Sequence, residues 1–292
     1  MPDDPVEGGE ERRGWWSGRC KTGTNLVARK GTSEYKGCLE ARSNMPDSSI
    51  INAVVKAVIH LNKNPQARIL DLSCGDGDII EALARKGHTA EGTHFRNDDY
   101  IFKNPSPLLK TATIHRGIDL TQPLPFADSS FDVVLATEVL EHLPSHAPIV
   151  AEANRILREG GHFIFTTPNI HRLSSRVQFL LTGTHELCGA RLGWHVSRDS
   201  LYTTHFNPVY FPVIHTLLYQ HHLRVKRLYV TSFIPWDCLL LLLYPLLVTA
   251  TGLELTHFVK RSRDGGKDLL RWLLNPRLLL SSQLVVVTNK MY

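Results

Sequence analysis

The chain has 292 residues, of which 42% are hydrophobic, and a formal net charge of +5 at pH 7. That length and apolar content are sufficient for one large core and exclude a mainly disordered chain. The 33 basic residues are scattered among 28 acidic ones, so we expect no nucleic-acid partner. The cysteines contain no C-x-x-C pair, which favours a reducing compartment and argues against a zinc knuckle. They are Cys20, Cys38, Cys74, Cys188 and Cys238.

Residues 1–44 are polar, rich in Gly, Glu, Arg, Lys and Ser, and without apolar periodicity. This composition predicts a flexible N-terminal arm. Trp15 and Trp16 are its exception, and they could dock on the core or on a partner, or stay partly exposed. The first residues contain no apolar signal segment, so we expect no secretory leader and a cytoplasmic protein.

The next pattern predicts a helix that covers the first strand of an α/β domain. Asp47 and the two serines after it can cap this helix, and Ile50, Val54, Val58 and Leu61 follow at helical spacing. Residues 67–96 then predict a strand, a glycine turn, a helix and a second, parallel strand, in a right-handed crossover.

The turn between the first strand and its helix is the predicted ligand site. Gly75 and Gly77 allow positive φ and let a ligand approach the main chain. The helix that begins near Asp78 presents free N–H groups at its start. These features are typical of a nucleotide-like ligand.

The middle of the chain continues the alternation of strands and helices. A third strand, 113–119, ends in an acid, and 131–136 is nearly continuous in apolar residues, as in a central strand buried on both faces. A helix over about 144–158 is expected to stop at Gly160 and Gly161, before a fifth strand at 162–167. This order predicts a doubly wound, Rossmann-like α/β fold with a parallel sheet.

The C-terminal part predicts irregular structure and then an insertion. Residues 170–205 form a long connection of the kind that is usually functional. A helix at about 210–222 and a strand at 225–231 follow, and the last strand is expected at 283–288. The predicted domains are therefore the arm, the α/β domain over 45–231 plus 282–292, and an apolar helical insertion over 232–281.

The insertion contains the run CLLLLLYPLLV at 238–248, which is interrupted by Pro245. It is shorter than the ~20 residues that cross a bilayer. Three interpretations remain open: a buried helix that caps a substrate cleft, a dimer contact, or a helix at the membrane interface. In the last case Lys260, Arg261 and Arg263 would lie at the lipid headgroups.

Residues 67–96 and the later VLEHL resemble the class I S-adenosylmethionine-dependent methyltransferases, especially a bacterial group with LDLGCGxG. The residues that carry the first match are Leu70, Asp71, Leu72, Cys74, Gly75 and Gly77. The chain departs from the pattern at Ser73, where the family usually has glycine, and at His94, where it usually has an acid that binds the ribose. The resemblance implies a seven-stranded, mostly parallel sheet with an antiparallel last strand, here with a helical cap.

The resemblance also implies S-adenosyl-L-methionine as cofactor and assigns residues around it. Asp119 and Leu120 would lie beside the adenine, and Asp71 would orient the turn or the amino group. His94 could accept one hydrogen bond through a neutral ring nitrogen. Alternatively, Asp119 only caps a turn before Pro123 and Asp71 is only structural. The implied cofactor-binding residues are Asp71, Ser73, Cys74, Gly75, Gly77, His94, Asp119, Leu120 and Thr137.

In the resembling family, residues 137–142 face the acceptor. A base is needed if the acceptor is a hydroxyl or a protonated amine, and His142 is the first candidate and His205 the second. Each could instead be a helix cap or a packed histidine. Arg191 and Trp194 are candidate acceptor-pocket residues.

The sequence shows no metal-binding pattern. His185, His195 and His205 are spaced by ten residues, which matches neither a helical nor a knuckle arrangement of ligands. We therefore predict no metal.

The favoured function is methyl transfer from S-adenosylmethionine to a small-molecule, lipid or glycan acceptor. One alternative is a catalytically decayed methyltransferase-like binding module at a membrane surface, suggested by Ser73 and His94. The other is an NAD(P)-dependent oxidoreductase. It is less favoured because Ile80 occupies the third glycine position of that fingerprint and His94 occupies the position of its acid.

Overall fold

The computed structural model describes residues 15–19, 25–29, 48–97, 106–185, 205, 207–233, 235–259 and 265–291. The chain divides into two units, Met1–Met45 and Pro46–Tyr292. In the first unit, β1 (Trp15–Arg19) pairs antiparallel with β2 (Asn25–Arg29). The sequence predicted no strand there, because neither segment shows a clear alternation of apolar and polar residues. The flexibility of the arm stays a prediction.

The second unit contains a seven-stranded sheet in the order β5-β4-β3-β6-β7-β9-β8. All neighbouring pairs are parallel except those that involve β9, which runs antiparallel to β7 and β8. The predicted fold class is confirmed. The strands are β3 (Ile69–Leu72), β4 (Ala90–His94), β5 (Ile114–Arg116), β6 (Phe131–Ala136), β7 (Leu157–Pro168), β8 (Leu223–Val230) and β9 (Gln283–Lys290).

Helices cover both faces of this sheet, so its central strands are apolar on both sides. Val133 and Val134 are neighbours in β6 and point to opposite faces, and both are fully buried. Val134 packs in the core that includes Ile149 and Ile214, and Val133 packs in the core that includes Val54. The helices around the parallel strands are α1 (Ser48–Leu61), α2 (Asp78–Ala84), α3 (Pro107–Lys110), α4 (Ala147–Ile156), α5 (Leu173–Thr182) and α6 (Phe211–Gln220).

Two predicted boundaries are wrong. The helix α4 ends at Ile156, and Gly160 and Gly161 lie inside β7 rather than at a helix end. β7 begins early because Leu157 pairs with Phe131 across a register shift. The third strand ends at Arg116, because Gly117 turns the chain with φ of 66°, so the acid that was expected to end this strand lies in the turn that follows.

The insertion leaves and rejoins the sheet at one edge. β8 ends opposite the start of β9, where Val230 pairs with Leu284, and Gln283 pairs with Pro168 at the carboxyl end of β7. The helical segment between β8 and β9 therefore begins and ends at the carboxyl edge of the parallel strands. It contains α7 (Pro235–Leu239), a 3-10 turn (Leu240–Leu243), α8 (Tyr244–Val259), α9 (Gly265–Leu273) and α10 (Pro276–Leu280).

The insertion packs on α5 through one of its sides. Leu240, Leu241, Tyr244 and Leu247 contact a small core that is made by Leu173, Leu279 and Leu280. Within the described part of the chain, no helix combines the length and the hydropathy needed to cross a membrane.

Candidate active site

The turn after β3 has an unusual backbone. Ser73, Gly75 and Gly77 have φ of 59°, 54° and 83°, so three residues out of five lie in the left-handed region, which only glycine adopts without strain. Backbone hydrogen bonds tie the turn to β4, since Cys74 N donates to Thr93 O at 2.9 Å. The turn is thus held in place although it lies at the end of a short strand.

The two glycines serve different purposes. A Cβ added at Gly77 would lie 2.5 Å from Leu109 Cδ1, so packing against α3 requires glycine. A Cβ added at Gly75 would meet no atom within 4 Å. Glycine there leaves a stretch of main chain open, as a ligand that contacts the backbone requires.

Two polar atoms near this turn are buried without a hydrogen-bond partner among the described residues. They are Asp71 Oδ1 and Thr137 Oγ1, at the carboxyl ends of β3 and β6, which pair in register through Leu72 and Ala136. Asp71 is 1% exposed, and burial raises the pKa of its carboxyl to about 8. Because buried polar atoms are nearly always hydrogen-bonded, these two atoms fit a polar ligand at this edge.

His94 and Asp119 lie on adjoining segments at the same edge. Arg96 N donates to His94 Nδ1 at 3.0 Å, so in the neutral ring the proton is on Nε2. Nε2 of a neutral His94 is therefore a donor, whereas the sequence suggested an acceptor. Ile118 N donates to His94 O at 3.1 Å, which places the turn of Asp119 and Leu120 beside β4.

Asp119 does cap a turn. Its Oδ1 accepts hydrogen bonds from Thr121 N at 2.8 Å and from Thr121 Oγ1 at 2.7 Å. Its Oδ2 has no hydrogen-bond partner within the described residues, so the capping role leaves one oxygen for a ligand.

Two acids after β6 were given no role from the sequence. Glu138 has φ of 53°, and its Oε1 accepts from Thr166 Oγ1 at 2.8 Å. Burial raises the pKa of Glu138 to about 7, and burial together with the neighbouring Glu138 raises the pKa of Glu141 well above its ordinary value. The signal available in the sequence was a pair of acids, one helical turn apart, directly after a buried strand.

The two predicted bases, His142 and His205, lie side by side. Their ring centroids are 4.8 Å apart with the planes at 70°. The loop of His205 is fixed by Asn207, whose N donates to Glu141 O at 3.1 Å and whose Nδ2 donates to Leu143 O at 2.8 Å. Arg191 and Trp194, the predicted acceptor-pocket residues, lie outside the described residues.

A separate cavity of about 500 Å³ lies at the opposite edge of the sheet. It is lined by the starts of β3 and β4 and by residues around Thr111, and it contains none of the candidate site residues.

Comparisons with known proteins identify a domain in the middle of the chain. Residues 70–165 match the family model described as "Methyltransferase domain". A ubiquinone biosynthesis O-methyltransferase from Paracidovorax citrulli is 33% identical over 113 residues, which is 35% of this chain and 44% of that protein. One from Alkalilimnicola ehrlichii is 30% identical over 129 residues, 41% of this chain and 52% of that protein. The chain thus spans about half the length of these curated relatives.

The fold also matches a solved structure of an S-adenosylmethionine-dependent methyltransferase from Archaeoglobus fulgidus. The TM-score is 0.50 at 16% identity, over 88% of this chain and 100% of the other. The matched residues 70–165 include the open turn, His94, Asp119 and the segment of Glu138–His142. The chain therefore contains a class I methyltransferase domain, and the cofactor of this domain is S-adenosylmethionine. The predicted class and cofactor are confirmed, while the roles of the individual residues remain predictions.

Proposed function

We propose that this protein transfers a methyl group from S-adenosylmethionine to the hydroxyl oxygen of a small-molecule or lipid acceptor. The observation that carries the proposal is the open main chain at Gly75 next to the unpartnered, buried Asp71 Oδ1, within residues that match a methyltransferase domain. The apolar insertion beside the site favours such an acceptor over a glycan.

The residues at the carboxyl edge fit the parts of the cofactor. The turn from Ser73 to Gly77 would hold it through main-chain atoms, with Asp71 and Thr137 satisfying polar groups. His94 would donate from Nε2 to a ribose hydroxyl, and Asp119 would accept from the adenine amine beside Leu120. When bound, the cofactor supplies a methyl group on a sulfonium, which is a good leaving group. The protein therefore has to align the donor and acceptor and exclude water.

The acceptor side is formed by the segment after β6. The two relatives are named as O-methyltransferases, and a hydroxyl must lose its proton as the methyl group arrives. We assign this proton to His142 or His205, because the two imidazoles meet at this edge and histidine titrates near neutrality.

We also propose that the insertion contacts a lipid surface. Many large apolar side chains on α5 and on the insertion are exposed, with Leu180 at 83% and Leu242 at 80%. Residues 238–253 contain no charged residue, so the segment is apolar on its outward side as well as on the side that packs on α5. A helix that is apolar all round belongs in a core or in lipid. The exposed residues are Phe179, Leu180, Leu181, Leu239, Leu242, Leu243, Leu246 and Leu253.

The basic residues after α8 favour a lipid surface, and not a second copy of the chain, as the partner of these exposed apolar side chains. The segment after α8 reads KRSRDGGK, and cations next to an apolar helix are attracted to anionic headgroups. Because the insertion begins and ends at the carboxyl edge, an acceptor dissolved in the bilayer would enter close to the proposed site.

Isothermal titration calorimetry with S-adenosylhomocysteine tests the central proposal. We expect a micromolar dissociation constant and a stoichiometry of one. Absence of binding at hundreds of micromolar would contradict the proposed function.

His94→Asp distinguishes a working enzyme from a decayed module. In a working site His94 donates to the cofactor, so replacing it with an acceptor should weaken binding roughly fivefold, about 1 kcal/mol. If the variant binds S-adenosylhomocysteine more tightly than the unmodified protein, the site has lost its family acid and the decayed module is the better description.

A further inference from the structure

Three side chains of types that can bind a metal converge at the carboxyl edge, although the sequence shows no metal pattern. Glu141, His142 and His205 each bring one ligand atom to within 4.8 Å of the other two. Glu141 and His142 belong to one 3-10 turn (Leu140–His142), whereas His205 comes from a loop more than sixty residues later. The arrangement is therefore produced by the fold, and no local spacing could indicate it.

Glu141 is buried without a counter-charge among the described residues. Its side chain is 1% exposed, and neither carboxylate oxygen has a hydrogen-bond partner among the described residues. Within that part of the chain no Lys or Arg forms an ion pair with it, and the neighbouring Glu138 adds a second carboxyl instead of a positive charge. A buried carboxylate without a partner is costly unless it pairs or coordinates a metal.

Hydrogen bonds hold the two segments together. Asn207 bonds to Glu141 O and, through its side chain, to Leu143 O. The ring of His146 bonds to Leu140 O at 3.0 Å and fixes the other side of the 3-10 turn. The backbone that carries the three side chains is therefore held by hydrogen bonds on both sides.

We propose that Glu141, His142 and His205 bind one divalent transition-metal ion. One carboxylate and two imidazoles suit Zn²⁺, Co²⁺ or Fe²⁺, and three protein ligands leave a coordination position open. With bonds of about 2.0 Å, ligand atoms of a tetrahedral site lie about 3.3 Å apart, so each pair of ligand atoms has to close by at most roughly 1.5 Å when the ion binds.

The open position gives the site a role in the proposed function. An ion there would lower the pKa of an acceptor hydroxyl, so that its proton could pass to water before the methyl group arrives. In that case His142 and His205 would be ligands of the ion, and neither would be the base assigned to the ion-free site. This role depends on the proposed function, whereas the binding of the ion does not.

Cobalt titration of the purified, tag-free full chain tests the inference. We expect one Co²⁺ per chain by equilibrium dialysis, with visible d–d absorption that Zn²⁺ displaces. Glu141→Gln and His205→Ala should each weaken binding at least tenfold. His115→Ala is the matched control, because His115 lies 2.8 Å from a single carboxylate, that of Glu91. This variant should bind cobalt as tightly as the unmodified protein does.

The outcomes separate this inference from the proposed function. Cobalt affinity unchanged in both Glu141→Gln and His205→Ala, or no binding below about 100 μM, overturns the metal site. Thermal melting shows whether either variant has unfolded, in which case His142→Gln replaces it in the same titration. S-adenosylhomocysteine binding without cobalt binding overturns only the metal site, and cobalt binding without S-adenosylhomocysteine binding overturns only the proposed function.

Discussion

Ser73 donates its backbone N–H to the hydroxyl oxygen of Thr93 at 2.9 Å while its own φ is 59°. The bond holds a serine in a conformation that costs an L-residue roughly 1–2 kcal/mol. The next residue, Cys74, bonds to the carbonyl of the same threonine. Thr93 thus fixes the start of the turn from a neighbouring strand.

Ser73→Gly should therefore leave the free energy of unfolding unchanged or raise it by up to about 1 kcal/mol, because relief of strain offsets the added freedom of the unfolded chain. Urea denaturation measures the change. Ser129→Gly is the matched control, since Ser129 has φ of 53° far from the turn. Both variants should behave alike in stability, and affinity for S-adenosylhomocysteine should be kept. A loss of more than about 1 kcal/mol in Ser73→Gly alone would contradict the strain argument.

Gly75→Ala should weaken cofactor binding because of a change confined to the turn. Gly75 and Gly87 both have positive φ, and an added Cβ meets nothing within 4 Å at either position. Ala at each should cost a similar free energy of unfolding, about 1 kcal/mol. We expect Gly75→Ala to bind S-adenosylhomocysteine at least tenfold more weakly by calorimetry, and Gly87→Ala to bind normally. Equal affinities in the two variants would remove the turn from the proposed site.

Asp71 should make the stability of the cofactor-free protein fall as pH rises. Burial raises its pKa to about 8, so between about pH 4 and 8 the carboxyl is protonated in the folded state and ionised in the unfolded one. The stability that the protonated carboxyl contributes is complete below about pH 4, falls as the pH rises, and is gone above about pH 8. The stability of Asp71→Asn relative to the unmodified protein should therefore rise by about 1.4 kcal/mol per pH unit, or roughly 5 kcal/mol in all, between pH 4 and 8. Chemical denaturation of both proteins across this range measures the difference in their free energies of unfolding. If that difference does not change with pH, Asp71 is not protonated in the folded state.

The exposed leucines of the insertion should control membrane contact. The protein should float with vesicles that contain anionic lipid, and Leu242→Glu combined with Leu246→Glu should abolish flotation, because charge cannot enter the hydrocarbon layer cheaply. The control pair is Leu108→Glu with Val213→Glu, at 42% and 51% exposure elsewhere on the fold, and it should float normally. If the unmodified protein does not float with the vesicles but forms a dimer in analytical ultracentrifugation, the exposed leucines instead bind a second copy of the chain.

The sequence predicted most of the sheet because local signals agree there. Continuous apolar runs such as β6 and the glycine turn after β3 depend on the nearest residues only. The early start of β7 could not be predicted, because it depends on the pairing of Leu157 with Phe131.

The candidate site divides in the same way. The turn residues were predicted from one motif, and in the structure they lie between β3 and α2, while their role in binding stays a prediction. The burial of Glu141 and its approach to His205 depend on a loop that Asn207 fastens. The donor character of His94 Nε2 depends on the hydrogen bond from Arg96 N to Nδ1. That bond depends on the backbone conformation and could not be inferred from the residue types.

The attachment of the insertion between two paired strands has an evolutionary consequence. Val230 and Leu284 meet across the hairpin whatever chain connects them, so this connection can lengthen, shorten or change its chemistry while the sheet and the turn after β3 stay intact. Selection for a new acceptor or a new membrane could thus act on the helices between these strands without loss of the methyl donor.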